Sequence, residues 1–288
     1  MLKGASLGIA LMLAVQVVMP MNDAVAKYLV ATLPAIQVAW ARFFFNSVFI
    51  VPYAFACRGR PGLTVRNPGL QVLRGLLIIA GNLTFILGIR YVPLADALAT
   101  VFIAPLAVTA ASAPILGERI TPAHWIAVTI GFAGALVIVR PGAGGFQLAG
   151  LLPLCSGLLF AAYLVLTRWL VRGSSPVATQ AVTALVGAVT LSMAAPFVWQ
   201  PVTAWNFLLM VTVGLLSSIG HVMMTVAHVH AEASTLAPLT YLALISATIL
   251  GFVIFGDLPD IWTIIGAAIV IGSGLFVTLS RRHRQDRP

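Results

Sequence analysis

The chain has 288 residues, 60% of them hydrophobic and only 8% charged, where an ordinary soluble domain has roughly 45–50% and about 25%. A mean hydropathy of +1.05 makes the lipid bilayer the solvent for most of the chain, and it excludes disorder, collagen and, with two cysteines, a disulfide scaffold. The formal charge of +9 would suggest nucleic acid in a soluble protein. Here the basic residues sit mostly at the ends of apolar segments, so lipid head groups are the expected partners and nucleic acid is not.

Charges, glycines and prolines divide the chain into ten apolar segments, each near the length of about 20 residues that a membrane helix needs. They run approximately over 4–26, 34–56, 69–90, 93–116, 122–139, 147–167, 176–198, 204–227, 233–255 and 260–280. None alternates polar and apolar as a barrel strand does. The fold expected is an all-α polytopic membrane protein with ten transmembrane helices.

In chain order, the first segment places Gln16, Pro20, Asp23 and Lys27 on one helix face. Asp23 and Lys27 form an i, i+4 pair that either gates a mouth, meets the two charges of a zwitterion, or fastens one side closed. Lys3, the apolar run and Ala24-Val25-Ala26 also read as a signal peptide with its cleavage site, but the repeat described below needs this segment as a partner. The second segment carries Trp40, Phe44 and Arg42, the last about 12 Å from the helix start at 1.5 Å per residue. A guanidinium at that depth needs a carboxylate, carbonyls or snorkelling, and a structural clamp is expected.

The third segment contributes Asn82, the fourth Phe102 and Pro105, the sixth Tyr163, the eighth His221, Met223 and Met224, and the ninth Pro238 and Tyr241. Polar groups at membrane depth are costly unless they face protein or water, which makes them candidates for solute contact. The aromatic faces and thioethers suit varied apolar side chains. Prolines at 20, 52, 105, 153 and 238 remove backbone donors and are expected as hinges or fixed bends. His228-x-His230-x-Glu232 imitates a metal site but falls at a helix end; no metal, no cofactor and no enzyme signature are expected.

With the N-terminus inside, Lys27, Arg42, Arg90 and Arg140 fall on the outer side and the other twelve basic residues, Arg74 among them, on the inner. That asymmetry predicts both termini in the cytoplasm. Laying residues 81–139 over 220–278 needs no gap, a shift of 139: Asn82 falls on His221, Phe102 on Tyr241 and Gly117-Glu118 on Gly256-Asp257. Upstream, Lys27-Tyr28-Leu29 matches Arg168-Trp169-Leu170, a shift of 141. The unit is five helices used twice, 1–140 and 141–288. Five is odd, so the copies are expected to be inverted, a recurrent device of secondary transporters. A structural or signalling bundle remains the rival reading.

Ala104-Pro105-Leu106 followed by Leu116-Gly117-Glu118 and small residues at 127, 131 and 134 resembles the end of a repeat in the drug/metabolite transporter superfamily, EamA type. Ala237-Pro238-Leu239, Phe255-Gly256-Asp257 and glycines 266, 272 and 274 echo it, and Arg42-Phe43 matches the pair in the family's second helix. The chain is most similar to YddG-type bacterial exporters of aromatic and other amino acids. The resemblance implies an inner-membrane exporter working by alternating access, or an efflux carrier for drugs or other metabolites. The substrate-binding set is then Asn82, His221, Tyr241, Trp40, Tyr163, Phe102 and Met223. Asp23, Lys27, Arg42, Glu118, Asp257, Pro105 and Pro238 are the gating or structural set. The small residues of the fifth and tenth helices suit close packing or a homodimer.

Overall fold

A backbone in hydrocarbon has no water to bond and must close its hydrogen bonds within helices. The computed structural model describes residues 2–58, 65, 67–116, 121–140, 148–170 and 175–285, and among them only helices and short turns occur. The helices are α1 (Leu2–Val30), α2 (Ala35–Arg58), α3 (Pro68–Ile89), α4 (Leu94–Val101), α5 (Ala104–Leu116), α6 (Pro122–Val139), α7 (Leu151–Leu170), α8 (Pro176–Ala194), α9 (Ala204–His230), α10 (Ala233–Leu236), α11 (Leu242–Leu250) and α12 (Ile261–Gln285). Among the described residues eight segments are long and apolar enough to cross a membrane, and two shorter apolar helices, Leu151–Thr167 and Ile261–Val277, bring the number to ten.

Local chemistry starts several of these helices. Thr121, Ser175 and Thr203 each accept a backbone N–H of the first turn, from His124, Ala178 and Asn206, and α6 and α8 carry proline just inside the start, where its missing donor costs nothing. The fourth and ninth spans, where Pro105 and Pro238 are expected as hinges or bends, are each interrupted. α4 stops at Val101, Phe102 and Ile103 form a turn, and α5 restarts with Pro105 in its first turn. The ninth passes from α10 through a 3₁₀ turn at Ala237–Tyr241, which holds Pro238, into α11 and then a π turn at Gly251–Phe255. Gly256 ends it at φ 71°, where a Cβ would be strained. Pro20 and Pro52 stand inside unbroken helices.

The contacts between helices pair the two parts of the chain. α1 packs on α9 and α3 on α7; α2 packs on α9 and α3 on α8; α2 packs on α8 and α6 on α12; α1 meets α11, and α7 meets α4 and α5. Exchanging α1 with α7, α2 with α8, α3 with α9, α4 and α5 with α11, and α6 with α12 maps these principal contacts onto one another. The main core lies where α1 to α4 meet α9, around the fully buried Leu29, Val38, Ile86, Leu94 and Met210. A second joins α5, α6 and α12 through Ile103, Leu106 and Val270. At the α6–α12 crossing a Cβ on Gly266 would stand 2.6 Å from the Gly134 carbonyl oxygen, so the small residues here serve packing within the chain. Phe197, Val253 and Ile126 point outward, exposed, as a lipid-facing surface requires.

Candidate functional site

Two ion pairs bind the parts of the chain together at one end of the bundle. Lys27, near the end of α1, donates to Asp257 Oδ2 at 2.6 Å and to the Val92 carbonyl at 3.2 Å, with its ammonium 4.8 Å from the Phe255 ring centroid. Arg140, just past α6, pairs with Asp260 before α12. Partial desolvation alone would raise the Asp260 carboxyl. The Thr263 N–H, 2.8 Å from Oδ1, and the Arg140 guanidinium outweigh it and hold the group below its ordinary value. Between the pairs lies a cavity of about 200 Å³ lined by Tyr91, Asp96, Ala97, Thr100, Arg140 and Pro153, among others. Asp96 Oδ1 and Thr263 Oγ1 are buried without a hydrogen-bond partner.

Asp23 and Lys27, expected to pair along α1, take different partners. Asp23 accepts from Arg42 Nη1 at 2.8 Å, and both side chains are largely buried. This supplies the carboxylate that a guanidinium at Arg42's depth requires, and it ties α1 to α2. Lys27 instead reaches 230 residues along the chain to Asp257. Glu118 lies outside the described residues.

At the two interrupted spans, the Phe102 and Tyr241 rings meet with centroids 5.1 Å apart. Gly274 leaves room for the tyrosine hydroxyl, since a Cβ there would fall 2.0 Å from it. Asn82, half-buried on α3, keeps Oδ1 buried without a partner. His221 on α9 borders a small cavity of about 30 Å³ with Ile50, Tyr53, Val177 and Gln180, within electrostatic reach of Arg42 and Arg74. No hydrogen bond joins Asn82 to His221.

Trp40 donates to Ser192 Oγ at 2.8 Å, stacks on Phe44 and meets Trp199 edge-on. Met223 and Met224 pack around Met12, Val15 and Leu236. Tyr163 stacks on Phe160, and its hydroxyl accepts from Arg74 Nη2. Arg74 is a polar residue of the interior that the expected site did not include. Counted among the inner-side basic residues, it is 3% exposed, about 9 Å into α3 at 1.5 Å per residue. Its Nε donates to Thr167 Oγ1 at 2.7 Å and its Nη1 to Thr183 Oγ1 at 2.9 Å, and the guanidinium lies over the Tyr163 ring. Gln71, 1% exposed, sits one turn earlier with Nε2 unpartnered.

Across the molecule, Asn22 Nδ2 donates to the Val213 carbonyl and lies 3.3 Å from Ser217 Oγ, while Ser218 donates to Asn46 Oδ1 at 2.7 Å. These polar residues were absent from the expected set. For Gln71 and Arg74, also absent from it, the signal is spacing: they share one face of α3 with Ile78 and the expected Asn82.

The EamA-like transporter family matches residues 6–140 and again residues 147–279. An S-adenosylmethionine uptake transporter of Rickettsia bellii is 29% identical over 99% of this chain and 98% of its own. A riboflavin transporter of Vibrio cholerae is 29% identical, covering 88% and 87%, and a pseudopaline exporter of Pseudomonas aeruginosa 27%, covering 86% and 88%. A solved crystal structure, 19% identical, superposes with a TM-score of 0.65 over 99% of both chains, which speaks for the fold alone.

Proposed function

Since this chain belongs to the EamA-like transporter family, we propose that it carries small amino-acid-type solutes by alternating access, its repeats 1–140 and 141–288 being inverted and rocking about a shared centre. The observation that carries this reading is the meeting of Phe102 and Tyr241 at interruptions in equivalent spans. Broken helices expose backbone polar groups that can hold a solute at mid-membrane depth. The exchange symmetry of the helix contacts, the double family match and the ion pairs gathered at one end support the same reading. In it, the described structure is closed at the Lys27 end.

Lipid surrounds the bundle in the bacterial inner membrane, and the arginine asymmetry supports cytoplasmic termini. The substrates proposed are aromatic and other apolar amino acids, moved outward. S-adenosylmethionine, named for one relative, carries an amino-acid head group, and riboflavin, named for another, is a flat ring system that aromatic walls accommodate. A carrier without an energy-coupling step has no intrinsic direction, so the cell's own gradient sets export. The pseudopaline exporter among the relatives favours a second reading, efflux of another metabolite.

Purified protein in liposomes, loaded with labelled phenylalanine, methionine, S-adenosylmethionine or riboflavin at two transmembrane pH gradients, tests this. Saturable phenylalanine or methionine flux, reduced by Tyr241→Ala, is expected. Flux of riboflavin alone would refute the amino-acid assignment, and no flux of any solute under either gradient would refute transport of this solute class.

A further inference from the structure

Among the described residues, the interior of the α3–α7–α8 contact holds a cation with no anion hydrogen-bonded to it. Arg74 is surrounded by neutral acceptors only: the hydroxyls of Tyr163, Thr167 and Thr183, with the Thr179 carbonyl and Gln71 Oε1 at 3.4 Å. The chain has seven acidic residues. Asp23, Asp257 and Asp260 are held by Arg42, Lys27 and Arg140. Asp96 lines the cavity at the Lys27 end and Glu232 is exposed past α9; Glu118 and Asp286 lie outside the described residues. Beside Arg74, the Gln71 amide nitrogen is buried with no acceptor at all. A buried guanidinium and a buried amide donor, three residues apart on one helix face, present N–H groups that water would otherwise satisfy. Each guanidinium nitrogen has a neutral acceptor, whereas the Gln71 amide nitrogen has none, and a buried donor left without an acceptor keeps its desolvation cost uncompensated.

Packing does not demand this charge. Shifted by 139, position 74 becomes Val213, and shifted by 141, Asn22 becomes Tyr163. The equivalent crossing of α1 on α9 is thus tied by Asn22 on the Val213 carbonyl and near Ser217, neutral groups throughout. The α1–α9 contact closes on neutral groups, whereas the α3–α7 contact contains a cation.

We propose that Arg74 and Gln71 form a subsite for a carboxylate of the transported solute, an assignment that rests on the transport reading above. A planar carboxylate takes two parallel N–H bonds from a guanidinium, and the amide of Gln71 adds a third. The groups that hold Arg74 at rest, Tyr163, Thr167 and Thr183, all belong to α7 and α8. A carboxylate that replaces them exchanges bonds between the two repeats for bonds to the solute, and this loosens one repeat from the other when the solute is present.

The test measures thermal unfolding of the purified full chain with 3-phenylpropionate, 3-phenylpropan-1-ol or inorganic phosphate titrated in. It needs no transport, so its outcome is separate from that of the liposome experiment. A saturable rise in unfolding temperature with the carboxylate only is expected, and Arg74→Gln should abolish it. Gln71→Glu covers the case in which Arg74→Gln fails to fold. It places a carboxylate of the same shape against the guanidinium, so the basal unfolding temperature should rise while the apparent affinity for 3-phenylpropionate falls at least tenfold. A purely structural Arg74 would leave that affinity unchanged. Equal stabilisation by the alcohol or by phosphate, a retained response in either variant, or a lower basal temperature in Gln71→Glu would overturn the proposal. Liposome transport without any carboxylate response would leave the carrier standing and remove the subsite.

Discussion

Asp257→Asn removes the charge of the Lys27 pair with almost no change of shape, and it bears directly on what holds that end shut. The two atoms are 2.6 Å apart, and the side chains are 13% and 32% exposed. At an effective dielectric constant of about 20, the Coulomb attraction at that distance is roughly 6 kcal/mol. Desolvation of the two ions offsets most of it, leaving about 2 kcal/mol, the usual worth of a charged hydrogen bond in a partly buried setting. Lys27 keeps the Val92 carbonyl and the Phe255 ring, so the loss is confined to the pair. Two kilocalories correspond to about a 30-fold shift toward the state open at this end.

The reporter is Ala97→Cys, in a background where Cys57 and Cys155 are serine. Ala97 is 1% exposed and lines the 200 Å³ cavity behind the pair. Its labelling by a membrane-impermeant maleimide should accelerate by about 30-fold in Asp257→Asn. It should return to within a few-fold of the parent rate when Lys27→Asp is combined with Asp257→Lys. Labelling at the parent rate in the single variant would refute the reasoning, because an end held shut by apolar packing alone does not respond to this charge.

Gly266→Val should separate α6 from α12, because its Cβ would meet the Gly134 carbonyl oxygen as well as the Ile138 side chain, and the backbone atom has no rotamer by which to move aside; a stability loss of at least about 1–3 kcal/mol is expected in detergent unfolding. Gly272→Ala, with nothing within 4 Å of its Cβ, should be neutral or gain up to about 1 kcal/mol of helix propensity. Asp260 has a folded-state carboxyl held below 3.8, so its pair with Arg140 contributes above that value and is lost as the pH falls through the depressed one. Both partners are more than a third exposed, so Asp260→Asn should cost no more than about 1 kcal/mol at neutral pH. The parent and variant unfolding curves should converge in strong acid, and a difference that grows on acidification would contradict the sign. Leu106→Ala empties a fully buried position between α5, α6 and α12 and should lower stability by about 2–5 kcal/mol.

The number of spans and their approximate limits were legible in the sequence because hydrocarbon thickness imposes a length and an apolar composition on any helix that crosses it. The shift of 139 residues is read from matched glycine, proline and aromatic positions, and the family model matches the chain twice, at residues 6–140 and 147–279. Pro105 and Pro238 flagged the interruptions in the fourth and ninth spans, although hydropathy averages across a broken hydrogen bond and does not register it. Arg42's depth called for a carboxylate, carbonyls or snorkelling, and the structure supplies the carboxylate of Asp23.

The partners were decided by the tertiary structure. Asp23 and Lys27 stand one turn apart on α1, yet the crossing of α2 brings Arg42 to Asp23, and the end of the ninth span brings Asp257 to Lys27. Arg74 shows the limit most clearly. A basic residue near a helix end counts toward one side of the membrane whichever way it faces, and only the rotation of α3 against α7 and α8 turns it inward. Helix formation and burial depth are local properties that composition encodes. Which polar groups meet depends on helix rotation and crossing, which are fixed by packing among residues far apart in the chain.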